Sequence, residues 1–213
     1  MNMKPLESIP LVRPAIDERD VLTTSNLTSA SLDALLNNQI LAVRVPRFCS
    51  ENVRKRLLRL VDEEAHLTPY THEVRGTDGI TQEFLGVYRI GTPFNLTYGK
   101  PHDDDIHRQY DEDGHRSAML VAKACLPNSS PVTKLGDALA DAWDEGVTMA
   151  AFTGRPMHAG IMRIMLPETS SLSEATPHVD SLPPGVRSMA HQLSANIYLQ
   201  TPDEGGELII YDH

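Results

Sequence analysis

The stretch that most constrains the fold is Gln192-Leu193-Ser194-Ala195-Asn196-Ile197-Tyr198-Leu199, where apolar and polar side chains alternate without a break. Strand side chains repeat with a period of two, so Leu193, Ala195, Ile197 and Leu199 share one face and Ser194, Asn196, Tyr198 and Gln200 the other. The first face is expected to cover a core, and the polar row to face a pocket. Upstream, Pro177-His178-Val179-Asp180 uses the same period to set an imidazole and a carboxylate on one side of an extended segment. Such a pair makes up two thirds of a facial triad for non-haem Fe(II).

A His-x-Asp pair is a weak signal by itself. The chain holds 9 His in 213 residues, and with its Asp content about 0.7 such pairs arise by chance, the usual risk with a short motif. A second pair stands at His102 and Asp104, inside an acidic run with no strand pattern to fix its geometry. Metal ligands need a rigid scaffold, so the strand context favours His178 and Asp180.

The rest of the chain is expected to form one domain over residues 1–213, since 40% hydrophobic content at this length can bury one substantial core. Residues 1–30, with Pro5, Pro10 and Pro14, read as a surface arm, residues 31–150 as a helix-rich part with early strands, and residues 151–213 as strand-rich. A short helix capped at Ser31 precedes a strand at Ile40 to Val45 that Pro46 stops. After Ser50, the spacing of Val53, Leu57, Leu60 and Val61 predicts a helix with Arg54, Lys55, Arg56 and Arg59 on its solvated side. Phe84 to Ile90 is a strand candidate. The acidic run Asp103 to Asp113 reads as a solvated loop, and its functional alternative is a lid that meets a cationic substrate. Leu135, Ala138, Leu139, Ala142 and Trp143 mark another amphipathic helix ending near Gly146, and His158 to Leu166 a strand stopped by Pro167. After the turn Thr201 to Gly206, Glu207 to Tyr211 is the returning strand.

Charge and composition exclude several partners. A formal charge of -10 and a pI near 5.3 argue against a nucleic-acid backbone as ligand. A small-molecule substrate is the expectation. No segment approaches the roughly 20 apolar residues of a membrane span, and Met1 to Arg13 lacks an apolar signal core, so the protein is expected to be cytoplasmic. Cys49 and Cys125 fit neither a zinc-knuckle spacing nor a disulfide framework and read as reduced core thiols. His158 and His191 read as structural histidines, and Met157, Met162, Met165 and Met189 as core filler.

The order of an Arg-bearing strand at Met162-Arg163-Ile164, then Pro-His-x-Asp, then Leu-Ser-x-Asn-x-Tyr-Leu, then Gly205-Gly206-Glu207-Leu208 resembles the Fe(II)- and 2-oxoglutarate-dependent dioxygenases of the prolyl-hydroxylase-like group. The resemblance covers about Ile161 to Tyr211, and Gln39 to Phe48 with its following helix is similar to that group's N-terminal strand and helix. It implies an α+β fold with a double-stranded β-helix (jelly roll) core and N-terminal packing helices, residues 151–213 forming the first part of that core. It also implies His178 and Asp180 as metal ligands for Fe(II), with 2-oxoglutarate as co-substrate and O2 as oxidant. Asn196 and Tyr198 are candidates for co-substrate binding, cross-strand contacts being the rival reading. Arg163 is a candidate anion clamp, with a surface ion pair as its rival. A distal His and a basic residue for 2-oxoglutarate are expected beyond His213. The activity so implied is hydroxylation of an unactivated C–H bond in a small metabolite such as an amino acid or natural-product intermediate. The carboxylate of Asp180 disfavours a halogenase, and a non-catalytic jelly-roll binding protein or a cupin-like enzyme independent of 2-oxoglutarate stand as alternatives.

Overall fold

The structure is a computed structural model that describes residues 21–63, 67–76, 79–101, 103–152, 154–166 and 190–210. Strand β1 (Val21–Thr23) pairs in parallel with β2 (Ala42–Arg44), and helix α1 (Ser29–Leu36) connects them. The start of α1 shows why the expected cap at Ser31 is displaced. Thr28 is extended and takes the N-cap, while Ser31 lies at N3. The Thr28 hydroxyl accepts from the Ser31 amide and the Ser31 hydroxyl accepts from the Thr28 amide, a reciprocal capping box.

Helix α2 (Glu51–Asp62) follows the expected pattern, with Ser50 as N-cap and Val53, Leu57 and Leu60 buried. Its basic face is only partly a solvated one. Arg54 pairs with Glu51 at 2.8 Å and also donates to the Leu199 carbonyl at 3.3 Å. The Arg56 guanidinium donates to the carbonyls of Cys125 and Leu126, at the end of the next long helix, where orphan carbonyls attract a cation.

The main sheet is antiparallel, in the order β3 (Thr68–Gly76), β4 (Gly79–Ile90), β7 (Met162–Met165). The β3–β4 hairpin is longer than its one apolar run, Phe84 to Ile90, suggests, because its outer part carries mixed polar residues. A bulge between Pro69 and Thr71 offsets the register. Beyond a 3-10 turn at Phe94–Thr97 comes α3 (Asp105–Cys125), then α4 (Pro131–Ala142), capped by Ser130 and opened by Pro131 at the position where a missing N–H costs nothing. A small hairpin, β5 (Ala151–Phe152) with β6 (Arg155–Pro156), leads to β7.

The core lies between α2, α3 and the sheet. Val53, Leu57 and Leu60 of α2 meet Ile90 of β4 and Cys125 of α3, with Leu120, Val121, Met162 and Leu199 packed around them. Among the described residues no helix is long and apolar enough to cross a membrane.

Two expectations change here. The acidic run is helical from Asp105 onward, with Asp104 as N-cap accepting from the Ile106 amide at 3.0 Å. Residues 192–199 and 207–210 form no strand among the described residues, and Leu193, Tyr198, Leu208, Ile209 and Ile210 are exposed. Alternation specifies two faces, but a strand also needs a ladder partner for its backbone. Leu199 packs this segment against the core. Among the described residues the sheets are small and none closes.

Candidate functional site

His178 and Asp180 lie outside the described residues. Among the described residues no group of three His, Cys, Asp or Glu side chains is placed to hold a metal ion. Asn196 and Tyr198 are exposed, on the segment that Leu199 pins to α2. Arg163 is on β7, exposed, with its guanidinium 5.5 Å from the centre of the Tyr70 ring, within cation–π range. Its cross-strand partner on β4 is Arg89.

Arg89 is the centre of a polar site that the sequence reading missed. Its side chain is 11% exposed, and its partner Asp113 on α3 is 16% exposed. Arg89 Nη1 donates to the Gly91 carbonyl at 2.6 Å and to the Thr92 hydroxyl at 2.9 Å, and lies 3.8 Å from an Asp113 carboxylate oxygen. The Thr92 hydroxyl in turn donates to Asp113, whose other oxygen takes the Arg116 guanidinium. One carboxylate thus serves two guanidinium groups and a hydroxyl. Burial pulls the Arg89 pKa below its ordinary value, against the upward effect of Asp113 and Tyr70; an arginine starts so high that it stays charged at neutral pH.

Local sequence explains the approach of α3 to the sheet. Gly91 has φ +95°, and a Cβ there would stand 3.1 Å from the Ser117 hydroxyl, so glycine lets the chain turn close against the helix. Tyr110, Gly114 and Ser117 are buried along that side of α3. The remaining acids of the helix are paired: Asp105 and Glu112 with Arg108, and Asp111 with Arg155.

The open cleft beside Arg89 has a volume of about 430 Å³ and is bounded by Thr68, Thr92, Gln109, Glu112, Asp113 and Arg116. This is within the range of small-molecule sites. A second hollow, beneath Phe94, Tyr110 and Phe152, is only about 20 Å³, room for a water. Its walls are an aromatic cluster. Phe94 meets Tyr110 and Phe152 edge-on, each at 5.4 Å, and His158 packs on Tyr110 at 5.2 Å and His115 at 4.7 Å. The backbone amide of His158 donates to the Tyr110 hydroxyl at 2.8 Å. His158 Nε2 also lies 3.8 Å from an Asp111 carboxylate oxygen, so the ring is held between α3 and the segment before β7.

Comparison with known proteins finds no matching family model, no matching curated protein and no matching solved structure.

Proposed function

We propose that the protein is an Fe(II)- and 2-oxoglutarate-dependent oxygenase that hydroxylates an unactivated C–H bond of a small metabolite in the cytoplasm. The observation that carries this reading is the ordered context of Pro177-His178-Val179-Asp180, the alternating run through Tyr198, and Gly205-Gly206-Glu207-Leu208. Imidazole and carboxylate are donors suited to Fe(II), which with 2-oxoglutarate and O2 would supply the oxidising chemistry. A jelly-roll core would complete that arrangement.

Two structural features support the reading. The strand expected before the ligand pair is present as β7 and carries Arg163. Gly205 and Gly206 have φ +75° and +72°, so the Gly-Gly pair occupies a turn that only glycine enters without strain. An amino acid or natural-product intermediate fits the class, and a cationic group on it would meet Asp103, just before the N-cap of α3.

The test is release of succinate from 2-oxoglutarate with Fe(II), across a panel of amino acids. Substrate-dependent succinate that disappears in His178→Ala and Asp180→Ala is the expected result. No succinate with any member of the panel, or undiminished release in both variants, would overturn the proposal.

A further inference from the structure

We propose that the cleft between the β3–β4 ladder and α3 binds the carboxylate of a small organic acid, with Arg89 as its anchor and Arg116 as a second cation. Among the described residues the hydrogen bonds and ion pair of Arg89 run through Nη1, to Gly91, Thr92 and Asp113. Among the same residues its Nε is buried with no hydrogen-bond partner. A guanidinium offers five donors, and a nearly enclosed one held at a single corner leaves the others to a ligand.

Charge points the same way. Arg89 and Arg163 are directly opposed across the β4–β7 ladder, and Arg116 reaches the site from α3, yet Asp113 is the one carboxylate shared by Arg89 and Arg116. Glu112, at the rim, is taken by Arg108 at 3.2 Å. A carboxylate entering the cleft would meet two guanidinium groups, whose fork matches it, and Thr68 and Gln109 line the same walls. A volume of about 430 Å³ fits a molecule of amino-acid size and not a folded partner. A free amino acid and a dicarboxylic acid share the recognised group.

This inference does not depend on the oxygenase reading, and its test needs no metal. The full chain in EDTA is titrated by calorimetry with the standard L-amino acids, their carboxamides, and succinate. At least one free acid is expected to bind, with the matching carboxamide weaker by about tenfold or more. Arg89→Lys, which keeps the charge and loses the fork, should weaken that acid about tenfold. Arg116→Gln, at a side chain 75% exposed, should fold normally and weaken it about threefold. Preference for succinate or for an amino acid identifies the source of the carboxylate, and either supports the site. Absence of binding by every acid, equal binding of acid and carboxamide, or wild-type affinity in Arg116→Gln overturns it, the last even if Arg89→Lys does not fold.

Discussion

Arg89 and Arg163 face each other directly across the antiparallel β4–β7 ladder, so two like charges occupy one cross-strand pair. Such pairs are unfavourable by themselves. Arg163 is relieved by solvent and by the Tyr70 ring, whereas Arg89, nearly enclosed, depends on Asp113. Asp113→Asn keeps the size of the side chain and removes the charge. It should destabilise the protein by about 3 kcal/mol, as expected when a buried cation loses its counter-ion. Urea denaturation measures this. A loss no greater than that of an exposed ion pair would show that Arg89 is satisfied by other means.

Gly114 sits in the middle of α3, where glycine normally weakens a helix. A Cβ at this position would lie 2.3 Å from the His158 ring, so the glycine makes room for the imidazole. Gly114→Ala should therefore destabilise the wild-type protein by about 1–3 kcal/mol. With His158→Ala in place, the same change should stabilise by roughly 0.5–1 kcal/mol, the ordinary gain from helix propensity. A double-mutant cycle reads the reversal of sign, and equal effects in both backgrounds would disprove the contact.

Burial raises the Cys125 thiol above its ordinary value of 9.0, with Cys49 adding to the shift and Arg56 opposing it. Burial likewise raises Cys49, against Lys134, and the Tyr110 hydroxyl, against its hydrogen bond from His158. Each folded-state pKa exceeds the unfolded one, so the associated stability is complete below the unfolded value and is lost as pH rises through the folded one. The urea midpoint should be insensitive to these groups at neutral pH and fall above about pH 9. Cys125→Ala with Tyr110→Phe should flatten that decline. An unchanged alkaline slope in the double variant would assign the loss to other groups.

Legibility in the sequence followed how local each signal is. Helix α2 was readable because Val53, Leu57 and Leu60 recur on one face and Ser50 stands before them. The start of α3 was not, because a run from Asp103 to Asp113 resembles a solvated loop, although its Asp105-Arg108-Glu112 and Asp113-Arg116 spacings are those of helical ion pairs. The Arg89–Asp113 pair joins residues from a strand and a helix that no local pattern connects. Arg163 stands out in the sequence by its charge, and the ladder placing it beside Arg89 depends on a register that alternation cannot supply. The run at Leu193 to Leu199 shows the converse limit, since its period is clear but it forms no strand among the described residues.

Anaerobic titration of the protein with Fe(II) and 2-oxoglutarate is the direct test of His178 and Asp180 as iron ligands. A weak visible charge-transfer band that saturates with 2-oxoglutarate, and that is lost in the His178→Ala, Asp180→Ala double variant, is the expected result. No band in the wild-type protein, or a band that survives both substitutions, would contradict the assignment.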